Sequence, residues 1–192
     1  MDRAGIVGAD GPTHHGLLDI AYLRGYPNIV LMSPKDEGEM RDMILTAVEH
    51  PGPAAIRYPR GNGFGVDISA APKKIEIGKA EVLRNGADVA IVAYGSMVNP
   101  ALEAAAKLSG ERIEATVVNA RFVKPLDAEM MAELAKNYSL IVTVEEAYLA
   151  GGFGSAVMES LEEKELLNNT SVVRMGVPDE IVGPAIFLAS DA

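Results

Sequence analysis

Short β-branched runs alternate with longer stretches of helical spacing along most of this chain, and Gly, Pro and Asp mark the junctions. This alternation limits the fold more than any other feature. A brief apolar strand, a helix and a second brief strand make a parallel βαβ unit, whose sheet is covered on both faces. The fold class expected is therefore α/β. In the first third the pattern predicts a strand at Ala4 to Val7, a helix from Leu17 to Arg24, a strand at Ile29 to Met32, a helix from Asp36 to Glu49 and a strand at Ala54 to Arg57. Ser33-Pro34-Lys35-Asp36 reads as a helix start, with Ser as the N-cap, Pro at the first helical position and an acid in the first turn. Three strands alone would leave a sheet edge uncovered, so part of this domain is expected to be missing or supplied by another chain, and self-association is plausible there.

Between Gly61 and Lys79 the periodicity lapses into Gly, Pro and Lys, which reads as a linker. Beyond it the spacing predicts strands at Val89 to Tyr94, Ala115 to Asn119, Leu140 to Val144 and Ser171 to Arg174, with helices from Pro100 to Leu108, Ala128 to Lys136 and Ser155 to Glu163. The expected organisation is a first domain over residues 1–62, a linker over 63–78 and a second α/β domain over 79–192, which suits a length of 192 residues. Basic and acidic residues number 6 and 8 up to Val66 but 11 and 19 after it, so the acidity belongs to the second domain. A net charge of −10 argues against nucleic acid and anionic lipid as partners, and any bound anion needs a local cluster. With no Cys there is neither a disulfide framework nor a zinc-thiolate site. The apolar runs are far shorter than a membrane span, and Met1-Asp2-Arg3 does not open a signal peptide, so a cytoplasmic setting is expected.

Three polar clusters could carry chemistry. Gly8-Ala9-Asp10-Gly11-Pro12-Thr13-His14-His15-Gly16 lies at the carboxyl end of an expected strand, where open α/β sheets bind ligands. The bland alternative is a solvent-facing loop whose histidines merely cap the next helix. A metal site is not expected, because adjacent His side chains rarely converge and no third ligand stands at metal spacing. Arg57-Tyr58-Pro59-Arg60-Gly61-Asn62 follows a strand on the same edge, and Arg there is a natural partner for phosphate or carboxylate. Surface pairing with a nearby acid is the alternative. Glu145-Glu146 ahead of Gly151-Gly152-Phe153-Gly154 could signal acid/base work or a nucleotide loop. Adjacent acids point apart, however, and the glycine spacing fits neither nucleotide motif, so a structural turn is favoured. From spacing alone, Arg3 lies at the opposite end of its strand as a surface charge.

Asp2-Arg3-Ala4-Gly5 with the Gly8 to Gly16 loop, Tyr58-Pro59-Arg60-Gly61-Asn62, Arg121-Phe122-Val123-Lys124-Pro125-Leu126-Asp127 and Glu145-Glu146 with Gly151 to Gly154 together resemble the carboxyl-terminal third of the 1-deoxy-D-xylulose-5-phosphate synthase family. That family is a branch of the transketolase-like thiamine diphosphate enzymes. The resemblance runs in order from Asp2 to about Glu180. It implies the second half of a pyrimidine-binding parallel-sheet domain followed by a transketolase carboxyl-terminal α/β domain, and condensation of pyruvate with glyceraldehyde 3-phosphate. It also implies site roles: His14 meeting the cofactor-bound intermediate and assisting proton transfer, Asp10 bonding the acceptor, and Arg3 and Arg60 gripping its phosphate. The magnesium and diphosphate motif of that family, and its aminopyrimidine-binding Glu, have no counterpart here. Thiamine diphosphate and magnesium are therefore expected to act only in a completed enzyme, as a homo-oligomer or with an amino-terminal chain. Residues after Glu180 depart from the family and resemble a short-chain dehydrogenase tail, without that family's cofactor loop or Tyr and Lys pair. A noncatalytic oligomerisation module and a subunit of a related oxo-acid dehydrogenase remain as alternatives.

Overall fold

The computed structural model describes residues 1–176, so the atypical tail lies outside the described residues. The chain folds as α/β with two sheets. In the first unit, α1 (Asp19–Leu23), β1 (Val30–Met32), α2 (Glu37–Glu49) and β2 (Ala54–Ile56) follow one another, and β1 and β2 pair in parallel. The N-cap of α2 is Asp36, which accepts the Glu39 N–H at 2.8 Å. Ser33 instead donates its hydroxyl to the Arg57 carbonyl at 2.9 Å, which corrects the sequence reading of the cap.

Ala4 to Val7 is not a strand. Arg3 and Gly5 adopt φ of 65° and 79°, which breaks the extended path, and only isolated bridges of Ala4 and Gly5 to Gly16 remain. One edge of this sheet is covered from within the chain. The second unit lends β6 (Phe122–Lys124), which pairs antiparallel with β1. The amino-terminal segment meets the end of β2, where the Met1 amino group donates to the Ile56 carbonyl, Tyr58 N–H donates to Met1 and Ala4 N–H donates to Tyr58.

The larger sheet has the order β3-β5-β4-β7-β8, formed by β3 (Glu81–Arg84), β4 (Val89–Ala93), β5 (Ala115–Asn119), β7 (Leu140–Val144) and β8 (Ser171–Met175). All its pairings are parallel except that of β3 with β5. Every β4 residue is buried, and alternate side chains feed two cores. Val89, Ile91 and Ala93 pack with Val98, Ala101 and Ala105 of α3 (Val98–Gly110). Ala90 and Val92 pack with α4 (Ala128–Asn137) and α5 (Phe153–Glu163) on the opposite face. Ile20 and Leu31 of the first unit join that second core, so the units share one apolar interior.

Residues 63–78 run along α2 as a strap rather than hanging free. Glu37 accepts N–H groups of Phe64, Gly65 and Val66, Arg41 donates to the carbonyls of Ile68 and Ala70, Asp42 accepts the Lys73 N–H and Thr46 accepts the Ile75 N–H. These positions recur at helical spacing, so one face of α2 holds the strap. Ile75 then enters the core with Met43 and Phe122.

Candidate active site

The loop between Gly5 and Gly16 emerges beside the end of β2, and three of the four residues singled out from sequence meet there. Arg3 Nε donates to Asp10 Oδ2 at 2.7 Å, while Arg60 forms an ion pair with Asp10 Oδ1. The reversed φ of Arg3 carries its side chain to the loop, where an unbroken strand would have left it at the far end. Arg3 also pairs with Asp2 at 2.9 Å. Both guanidinium groups remain partly open, with side-chain exposures of 37% and 51%, against 17% for Asp10. A guanidinium has five N–H donors, so both retain capacity for an incoming oxyanion.

His14 stands on the same loop, in a short 3-10 turn over Pro12–His14, and its ring is exposed. It shares a hydrogen bond of 3.0 Å with Thr13 Oγ1, and makes none with the arginines. His15 faces inward and accepts the Val7 N–H at 3.1 Å through Nδ1. The adjacent histidines therefore diverge, and among the described residues no group of three His, Asp or Glu side chains is placed to hold a metal ion.

The other clusters sort differently. Arg57 is buried and makes a two-point ion pair with Asp19, at 2.7 and 3.2 Å, beneath the Tyr94 ring. It also donates to the carbonyls of Gly16 and Glu146. Asp19 escaped the sequence reading; its only signal was an acid opening a helix, which ordinarily reads as a dipole partner. Glu145 accepts the N–H groups of Phe153 and Gly154 at 2.7 and 2.8 Å, capping α5. Burial pushes its carboxyl above the ordinary 4.5 despite those bonds and the nearby Arg57 and Arg174 charges. Glu146 turns the other way, accepting the Ile6 N–H and the Ser96 hydroxyl. Neither acid reaches Asp10.

Residues 1–64 match the transketolase pyrimidine-binding domain, and residues 78–187 match the transketolase C-terminal domain. The chain is 56% identical over 182 residues to 1-deoxy-D-xylulose-5-phosphate synthase 1 of Geobacter metallireducens, covering 95% of this chain and 29% of that protein. It is 57% identical over 187 residues to the 1-deoxy-D-xylulose-5-phosphate synthase of Synechocystis, covering 96% of this chain and 29% of the other. The chain thus spans under a third of the length of these curated relatives. Among solved structures, a split-gene transketolase described as an inactive beta4 tetramer superimposes with a TM-score of 0.80 at 33% identity, covering 98% of this chain and 64% of that one. With the α/β architecture and both domain matches in place, the chain belongs to the transketolase family, as a pyrimidine-binding segment joined to the family's C-terminal domain.

Proposed function

We propose that this chain supplies the acceptor-binding part of a 1-deoxy-D-xylulose-5-phosphate synthase, which joins pyruvate to glyceraldehyde 3-phosphate with release of carbon dioxide. The observation that carries this reading is the convergence of Arg3 and Arg60, from the two ends of the first unit, on the single carboxylate of Asp10. Two guanidinium groups held a fixed distance apart by one carboxylate suit a phosphate dianion, which accepts planar forks at several oxygens. Asp10 orients both forks and offers an oxygen to the acceptor, and His14 is the proton carrier of the loop.

The family depends on thiamine diphosphate, which in a completed enzyme would supply the nucleophilic carbon for the acceptor aldehyde. Among the described residues no acidic cluster suits magnesium, so these residues do not fit the metal and diphosphate end of that cofactor. We assign that end, and the cytoplasmic, oligomeric assembly, to residues contributed by other segments or chains. Turnover is therefore expected once a chain carrying the upstream domains is added, and failure with every such chain would overturn the reading. A second reading, a noncatalytic oligomerisation module, is favoured by one finding, the likeness to a split-gene transketolase described as inactive. On that reading His14→Ala and Arg60→Ala would leave every property of the complex unchanged.

A further inference from the structure

The loop of residues 6–15 carries Asp10 and His14, and it is closed at its neck by two backbone bonds, Gly5 N–H to Gly16 at 2.9 Å and Gly16 N–H to Gly5 at 3.0 Å. Beyond that neck its own bonds run within the loop, from Val7 to His15, Gly11 to Gly8, His14 to Gly11 and His15 to Pro12. Arg3 and Arg60 hold the loop at Asp10, and the second unit grips it where it leaves the body of the protein. Glu146 Oε1 accepts the Ile6 N–H at 3.1 Å, and Oε2 accepts the Ser96 hydroxyl at 3.0 Å. The Glu146 carbonyl and the Gly16 carbonyl both accept from Arg57 Nη2 at 3.2 Å, which ties the returning strand of the neck to the same residue. Tyr148 N–H then donates to Leu17 at 2.9 Å. The carboxylate lies directly over Gly5, where a Cβ would fall 2.1 Å from Glu146 Cδ and where φ is +79°. No side chain fits there while Glu146 holds its place.

We infer that Glu146 is a positioning residue, by which the C-terminal domain fixes the loop bearing Asp10 and His14 against the segment bearing Arg60, with Ser96 holding its second oxygen. Its significance for turnover rests on the function proposed above; its hold on the loop does not. A carboxylate is suited to this because both of its bonds come from donors and are charge-assisted. Glu146→Gln keeps an acceptor for Ile6 and turns its amide toward a hydroxyl that can also accept, so it should preserve most of the hold.

The test is amide hydrogen exchange on the chain itself. Glu146→Ala is expected to raise exchange across residues 6–15 by about tenfold or more, while amides of β4, β5 and β7 change less than about twofold and Glu146→Gln stays near the parent. Unchanged loop exchange in Glu146→Ala, or an equal rise in Glu146→Gln, would overturn the inference. Should Glu146→Ala not fold, Ser96→Ala decides by the same measurement: faster loop exchange supports the assignment, and no change overturns it. In an enzyme completed with upstream domains, Glu146→Ala should lower kcat with the KM for pyruvate unchanged, and Glu146→Gln should restore it. An inactive completed parent would sink the proposed function and leave the exchange result to decide the role of Glu146.

Discussion

Asp10 shows how one residue can reconcile two like charges. Two arginines brought to one place repel each other, and a shared carboxylate holds both while leaving N–H donors free. Being part-exposed, these pairs add little to stability, so Arg60→Ala should leave the thermal midpoint nearly unchanged, with a cost below about 1 kcal/mol in calorimetry. Arg60 falls just beyond β2, as its sequence pattern implied, whereas Asp10 was singled out in a loop after an expected strand that does not form, so its pairing with Arg60 was not legible from spacing. Arg3 was legible only by resemblance, because nothing in its spacing announces a reversed φ. Glu145 makes a different prediction. Its folded carboxyl sits above 4.5, so the stability linked to it is present in full below the unfolded value and is lost as pH rises through the folded value. In urea unfolding between about pH 4 and pH 8, the parent should lose an increment of stability that Glu145→Gln does not lose.

At the scale of elements, α2 both covers the small sheet and binds the strap. Asp36→Ala removes the cap on Glu39 N–H and should cost about 1 kcal/mol in denaturant unfolding. Glu37→Ala removes the acceptor of three strap amides and should speed proteolytic cleavage near Phe64 to Val66, with the α2 amides still protected. The long helices and β4, β5 and β7 were legible because their apolar periods extend over several residues. Strands β3 and β6 were not. Each is short, bounded by charges, and defined by pairing with a partner distant in sequence; β6 in particular precedes a Pro and belongs to the other unit's sheet. The strap read simply as a linker, since its order comes from α2 side chains and not from its own composition.

Across the whole molecule the two units behave as one body. They share an apolar core, exchange β6, and are joined by an ionic cluster in which buried Glu39 accepts from Lys35, Asn119 and Arg121, with Glu81 pairing to both cations. Arg57, bonded to Asp19 and to carbonyls from both units, sits at the join. Arg57→Ala leaves Asp19 buried and uncompensated, and should cost about 3–5 kcal/mol while the parent unfolds in a single transition by fluorescence and circular dichroism. The sequence offered Arg57 as a partner for a carboxylate but did not name Asp19, and the pairing of Glu39 with Asn119 and Arg121 had no sequence signal. The most direct test of the phosphate assignment uses the chain completed with upstream domains, comparing Arg60→Ala with the parent on two acceptors. With glyceraldehyde 3-phosphate, kcat/KM should fall about 10- to 150-fold, the loss of one charge-assisted contact; with unphosphorylated glyceraldehyde it should change less than about threefold. Equal losses on both acceptors would contradict the assignment of Arg3 and Arg60 as the phosphate site.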